Sequence, residues 1–397
     1  MSVMSPLPRD EIRDKECVPF LMSITFRIRG RGKRVITTLL MFFVVVVLSG
    51  CRTIGFYSQA FKGQCQLLTS RESIQKLLAN PGTPPLLRDR LALVQELCQF
   101  AASQLKLPVD GHYQSYVDLH REFVVWNVEA TPEFSLASKS WWYPIVGRLD
   151  YQGYFSKEGA HRYGEWLQGQ GYEVHYSGAS AYSTLGWFKD PALNTFLFGP
   201  KPEVAETLFH ELGHQVAFAR GDTDFNEAFA TTVGQEGARR WLMSLNDPVL
   251  LEAYERSLKR NLEFVGIVMK TRARLELLYG DTRTREGKIQ GSREPFIGDP
   301  GGMLEEKRQV VEALRQEYAT LKQSWGGNGD YDDWFEQPIN NAKLNSVAAY
   351  YDLVPGVEQL LRLNNGDLAE FYKDARRLAH SPREQRRQRL KQLAGAL

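Results

Sequence analysis

Three things are scarce in this sequence, and each scarcity narrows what the chain can be. Charge of one sign is the first: 49 Lys and Arg stand against 47 Asp and Glu, a formal charge of +2. That balance provides no basic surface for nucleic acid, so no nucleic-acid partner is expected. Long hydrophobic runs are the second. The uncharged apolar run Val35 to Leu48 has 14 residues, whereas a helix that spans a bilayer needs ~20. Cysteine is the third: four in 397 residues leave no room for a framework of several disulfides. Internal repeats and a domain-sized linker are also missing, and a chain of this length can bury a sizeable core.

What charge there is sits unevenly. Residues 1–51 carry eight Lys/Arg and four Asp/Glu, which leaves the remainder slightly acidic. Arg27, Arg29, Arg31, Lys33 and Arg34 form a positive n-region ahead of the apolar run, whose length suits the h-region of a signal peptide. The run ends in Leu48-Ser49-Gly50-Cys51, which looks like a bacterial lipobox. Residues 1–51 therefore read as a lipoprotein-type signal peptide, with Cys51 lipidated and becoming the new N-terminus. The length of the n-region makes Met22 an alternative start. An uncleaved anchor is the other reading. Either one tethers the protein to a membrane and places residues 52–397 outside the cytoplasm. Arg52, rather than an Asp, follows the Cys, which favours the outer membrane of a bacterial envelope, facing the periplasm. Of the other cysteines, Cys65 and Cys98 either pair across a helical hairpin or remain two buried thiols.

The periodicity predicts an α+β fold, mostly helical, with a small mixed sheet before the helix that carries the key motif. Residues 52–397 read as one unit. Its first part, 52–107, is a helical hairpin (Ile54–Leu78 and Pro84–Leu105). From 108 to 200 the texture is that of short strands, at 123–128, 171–176 and 194–199. Helices are expected at Pro202–Ala219, Phe225–Ser244, Pro248–Tyr279, Leu304–Trp325, Ser346–Leu363 and Leu368–Ala379 within a helical part, 201–380. The stretch 280–302 is polar and aperiodic and reads as a mobile loop. The basic tail 381–397, with Arg383, Arg386, Arg387, Arg389 and Lys391, reads as a solvated helix face that can rest on anionic lipid.

The chemistry is concentrated in Leu208-Phe209-His210-Glu211-Leu212-Gly213-His214-Gln215. Two His four residues apart lie on one helix face, one turn apart, where both imidazoles can bind a single ion. Glu211 is rotated about 100° from His210, beside such a metal rather than on it, where it can act as general base. A catalytic zinc needs a third protein ligand and an open position. No His lies between His214 and His380, so the third ligand is expected to be a carboxylate from Asp222, Asp224, Glu227 or Glu236. A tight turn at Gly221-Asp222-Thr223-Asp224 would return a second helix beside the first. Glu227 then lies ~4.5 Å beyond His214 along the axis, within a Glu side chain's reach. Its face carries the small residues Thr231, Gly234 and Ala238, which permit close approach, whereas Glu236 points the other way with Phe225, Phe229 and Val233. Glu227 is the chosen ligand. A capping-box partnership with Asp224 is its alternative role.

The string Asn226-Glu227-Ala228-Phe229-Ala230 after HExxH resembles the gluzincin metallopeptidases, whose third ligand is a Glu on the following helix. More closely, the chain resembles a bacterial family of predicted lipoproteins described as zinc aminopeptidases. The likeness runs through residues 182–188, 209–215, 225–230 and 340–355, within nearly all of 52–380. It implies a zincin-like, thermolysin-like active-site core holding one Zn²⁺ ion at His210, His214 and Glu227, with Glu211 as base. Two departures stand out. Only 12 residues separate His214 from Glu227, fewer than in thermolysin. Thermolysin-like enzymes also have an Asp four residues after the ligand Glu, orienting a zinc His; Thr231 stands there here.

A donor to the developing oxyanion is also needed. Tyr350 is the candidate and Tyr182 the second, although a helical Tyr more often packs in a core. The segment 181–188 can supply an edge strand for substrate backbone, with Tyr182 and Trp187 touching substrate or lining the core. His161 and His175 read as structural. The expectation is an exported zinc metallopeptidase acting on a peptide substrate, with the aminopeptidase label resting on resemblance. The alternatives are an endopeptidase of envelope proteins and a non-catalytic zinc-binding lipoprotein. No protein partner can be named.

Overall fold

The computed structural model describes residues 51–143, 146–181, 188–280, 282–283, 289–290 and 300–395. The chain divides into residues 1–55 and residues 56–397. Of the first, only the helical stretch from Cys51 is described, so the basic and apolar segment ahead of it lies outside the described residues. Among those described, no helix is long and apolar enough to cross a membrane.

Helix α1 (Cys51–Thr69) ends where Thr69 turns its hydroxyl back to the Cys65 carbonyl, 2.9 Å. A predicted single helix to Leu78 is thereby broken. Strand β1 (Glu72–Ser73) intervenes before α2 (Ile74–Ala79). Helix α3 (Pro85–Ser103) starts on a proline, which needs no N–H partner there, and buries Leu91, Val94, Leu97, Cys98 and Ala101 at helical spacing. Cys65 and Cys98 are free thiols, and burial pushes the Cys98 thiol up to about 12.

The strands form several small sheets rather than one mixed sheet. β2 (Ser115–Val117) joins β1 antiparallel and β8 (Ala192–Leu193) parallel. β4 (Trp141–Tyr143) and β5 (Gly147–Leu149) make a hairpin. The third sheet is wholly antiparallel, with β3 (Val125–Pro132) between β6 (Gln152–Tyr154) and β7 (Tyr172–Ala179). Val128 and Ala130 of β3 pack with Ala160 and Leu167 of α4 (Lys157–Gln168). By strand alternation Asn127, Glu129 and Thr131 face the other way. The strand expected at 194–199 is instead the one-turn helix α5 (Asn194–Leu197). Asn194 accepts from Leu119 N–H and donates to Arg121 O, which commits its backbone to a turn.

The remainder is helical. α6 (Lys201–Gly213) packs along α7 (Thr223–Ser244), and α8 (Pro248–Leu278) along α9 (Pro300–Ser324). Within the predicted loop 280–302, strands β9 (Thr282–Arg283) and β10 (Ile289–Gln290) pair; the loop otherwise lies largely outside the described residues. After the short α10 (Asp332–Glu336), the helix predicted at 346–363 is two, α11 (Asn341–Tyr351) and α12 (Val354–Leu363). Pro355 explains the break, because a proline is tolerated only in a first turn. α13 (Leu368–His380) and α14 (Arg383–Ala394) follow. The largest core joins α3, α6, α7 and α12 to α14, around Phe209, Phe229, Trp241 and Phe371. α11 lies between this helical core and the antiparallel sheet, packing on α7 and α8 and on β3 and β7.

The basic tail is not simply a solvated face. Arg386 is 3% exposed. Its Nε and Nη2 donate to Asp222 Oδ2 at 2.8 and 2.6 Å, and Nη1 donates to the carbonyls of Leu378, Ala379 and Ser381. Arg387 bridges Asp224, at 2.6 Å, and Asp352. The C-terminal helix therefore clamps the start of α7. Arg386→Met is expected to cost about 3 kcal/mol in urea unfolding, because the buried Asp222 loses its two short bonds and keeps only the half-exposed Arg383, at 3.5 Å, as a cationic partner. Adding Asp222→Asn should recover most of that loss; an additive further loss would show that the pair does not act as one unit.

Candidate metal centre

α6 buries Val204, Ala205, Leu208, Phe209 and Leu212, leaving His210 and Glu211 partly open. The helix stops at Gly213 rather than continuing to Ala219. His214 is its C-cap, still donating its N–H to His210 O at 3.2 Å. The next two N–H groups, of Gln215 and Val216, reach back only three residues, to Leu212 and Gly213. That tighter pattern closes a helix. The chain then turns through Gly221, whose φ of 76° suits a residue without Cβ. Asp222, not Asp224, caps α7 by accepting from Phe225 N–H at 3.4 Å. Asn226 pins the turn: Ala219 N–H donates to its Oδ1 at 2.7 Å, and its Nδ2 donates to Ala219 O at 2.9 Å.

The return of α7 beside α6 brings three donors together. His210 Nε2 and His214 Nε2 lie 3.2 Å apart, and Glu227 Oε2 lies 3.4 Å from the first and 3.7 Å from the second. The three make up a group able to hold a metal ion. A tetrahedral zinc with bonds near 2.1 Å separates its ligand atoms by about 3.4 Å, so the donor set and its spacing fit that ion. The other three acidic candidates are engaged elsewhere: Asp222 and Asp224 with the C-terminal arginines, Glu236 with Arg239 and Arg240. Gly234 faces α6 directly. A Cβ there would stand 2.8 Å from Glu206 O and 3.1 Å from His210 Cβ.

A family model described as "Putative aminopeptidase" matches residues 55–390. The chain belongs to that family. Neither a curated protein nor a solved structure matches it. Family membership makes the chain a peptidase-type hydrolase acting on peptides, and the matched range holds all three candidate metal ligands together with Arg386 of the clamping helix.

The cluster is electrically uneven. Burial raises the Glu211 carboxyl to about 7; nearby His210 opposes this, while Glu227 and Asp190 add to it. Burial lowers His214 to about 4 against the pull of Glu227. Burial also works to raise the Glu227 carboxyl, but His214 and the hydrogen bond with His210 outweigh it and hold the group below its usual range. Burial works against protonation of His210, yet Glu227, Glu211 and Glu206 together raise it.

Tyr350 stands near the end of α11. The residue is 41% exposed, but its hydroxyl is kept protonated by Glu227 first and then by burial, with Tyr151, Glu129 and Glu211 adding to them. Tyr182 and Trp187 lie outside the described residues. His161 stacks on Tyr176, ring centroids 4.3 Å apart, and His175 is lowered to about 4 by burial and by Lys343. Asn226 and Glu206 escaped the sequence reading. Glu206 sits one turn before His210 and accepts from Tyr254 Oη at 2.7 Å; an acid four residues ahead of the first motif His was its available signal. Asn226→Ala leaves the Ala219 N–H unpaired in a buried turn and removes one of the two bonds to the Ala219 carbonyl, which then keeps only the Asp222 N–H at 3.2 Å. It should cost about 2–4 kcal/mol in denaturant unfolding, and a loss under ~1 kcal/mol would mean that the turn is held by other contacts.

Proposed function

We propose that this chain is a zinc aminopeptidase of gluzincin type with a zincin-like active-site core. The observation that carries the reading is the convergence of His210, His214 and Glu227 on one point, with Glu211 next to the first ligand. Nothing in a purely structural metal site calls for a base in that position. His210 Nε2, His214 Nε2 and Glu227 would hold the ion. The chemistry that zinc supplies when bound is polarisation of the scissile carbonyl and acidification of a water. Glu211 accepts the proton of the attacking water and passes it to the leaving amine. Tyr350 Oη donates a hydrogen bond to the oxygen that gains negative charge. Lipidation of Cys51 would tether the enzyme to the bacterial envelope, at the outer membrane facing the periplasm.

Glu211→Gln should keep one zinc per chain by metal analysis and lower kcat/KM on aminoacyl substrates by ~10²–10⁴. Glu227→Ala should lose zinc. Zinc held at wild-type affinity in that variant would remove Glu227 from the site, and unchanged turnover in Glu211→Gln would remove the mechanism.

Tyr350→Phe is expected to reduce kcat by ~10²–10³ with little change in KM, as for loss of one oxyanion donor; a change in KM alone would reassign Tyr350 to binding. Metabolic labelling with palmitate checks the tether. Label should enter the wild type and be absent from Cys51→Ser, and equal labelling of both would end the lipoprotein reading.

A further inference from the structure

The face of the antiparallel sheet turned away from α4 is polar. Asn127, Glu129 and Thr131 of β3 stand opposite Ser177, His175 and Glu173 of β7. Polar groups buried on an inner face require partners. Glu173 has them: Lys307 Nζ bonds its Oε1, and Asn341 N–H donates to Oε2 at 2.8 Å. Glu129 is different. Its Oε1 accepts from Ser177 Oγ at 2.7 Å, but Oε2 is shut off from solvent and has no hydrogen-bond partner among the described residues. No Lys or Arg pairs with this carboxylate among the described residues either. Burial pushes it up to about 7, with Ser177 opposing. Two residues along the same face, Thr131 Oγ1 is also buried and has no hydrogen-bond partner among the described residues.

The position of this orphan oxygen matters. α11 covers the polar sheet face and packs on α7 with its other side. The Tyr350 hydroxyl, near its end, is in the field of Glu129 as well as of Glu227 and Glu211. Glu129 therefore lies under α11, within electrostatic range of the Tyr350 hydroxyl, without being one of the metal donors.

We propose that Glu129 binds the α-ammonium group of the substrate's N-terminal residue, with Ser177 holding the carboxylate in place. The inference rests on the peptidase reading and adds to it a requirement for a free N-terminus. In an N-terminal substrate the α-nitrogen is two bonds from the scissile carbonyl carbon. The group that recognises it must stand beside the oxyanion donor and outside the metal's ligands, and it must be an acceptor with a vacant oxygen. An ammonium supplies both the charge and the N–H that Oε2 lacks, in a charge-assisted hydrogen bond. An internal peptide bond presents one uncharged N–H at that point and leaves the buried charge unmatched.

The test uses the full-length, zinc-loaded protein with leucinamide and N-acetyl-leucinamide as calorimetric probes. Hydrolysis of a leucyl peptide and of its N-acetylated form is measured alongside. Wild type should bind leucinamide and not the acetylated probe. Glu129→Gln should weaken leucinamide binding by at least about 30-fold, the low end for removing one partner of a buried charge pair. Its zinc content and circular dichroism should be unchanged. Ser177→Ala, a milder change, should weaken binding severalfold.

Equal binding by wild type and Glu129→Gln would overturn the proposal. So would equal hydrolysis of free and acetylated peptides by the wild type, which would leave a peptidase without an amine site. Leucinamide binding that depends on Glu129, in a protein that hydrolyses neither peptide, would keep the amine site and end the peptidase reading.

Discussion

The three candidate metal donors come from two helices, and the close approach of those helices depends on Gly234 lying against Glu206 and His210. Helix pairs in proteins usually stand 8–10 Å apart, set by the side chains at the contact. With no side chain on α7 at this level, Glu227 needs no unusual reach to meet both imidazoles. The short interval between His214 and Glu227 follows from the same closeness. Within 12 residues the chain must end α6, reverse and begin α7, so little backbone remains to satisfy itself. Asn226 takes up the slack by pairing with both polar groups of Ala219, and Asp222 both caps α7 and anchors Arg386. The far C-terminus thus becomes part of the support of a turn more than 150 residues earlier.

The opposite wall of the site is set by α11, whose first turns are fastened by amide side chains. Asn341 Nδ2 donates to the carbonyls of Pro132, Glu133 and Ser135, and Asn345 Nδ2 to Leu136 O and Ser138 Oγ. These bonds tie the helix to the segment that leaves β3, so Glu129 and Tyr350 are carried by one connected frame. Lys343, 1% exposed, adds a bond to Trp334 O and lies 4.6 Å from the centre of that ring. A helix held at its start keeps the angular position of a residue nine places on, because the backbone between is rigid. The exposure of the Tyr350 ring is therefore compatible with a fixed hydroxyl.

Sequence pattern carried the local part of this arrangement. The four-residue spacing of His210 and His214 and the small face of Thr231, Gly234 and Ala238 both follow from helical periodicity, which a single chain displays. Contacts between distant segments are not written that way. Arg386 looked solvated because its neighbours on α14 are charged, and nothing local to it names Asp222. The run at 194–199 is apolar, β-rich and short, and such runs do not distinguish a strand from a buried turn; Asn194 decided it through partners over 70 residues away. Glu129 alternates with buried residues in β3, but its unpaired oxygen becomes visible only once the register with Ser177 is known. The end of α6 at Gly213 depends in part on Asn226, which lies beyond the helix it limits.

That Thr231 stands where the resemblance to thermolysin-like enzymes would put an Asp can be understood from the charges already present. Glu227, Glu211 and Glu206 surround the two imidazoles, and Glu211 and Glu206 are both driven by burial toward their neutral forms. A fourth carboxylate at 231 would add a further buried negative charge, at a cost that grows with each one present. The imidazoles are instead held unequally. His210 has Glu206 one turn away, itself fixed by Tyr254. His214 has no acceptor for Nδ1 among the described residues; it is kept by its place at the helix end and by burial, which favours the neutral ring. A neutral imidazole is the form that binds a metal. Burial at this position would thus supply, for a metal bound there, the protonation state that an oriented carboxylate would otherwise help to set, without another charge.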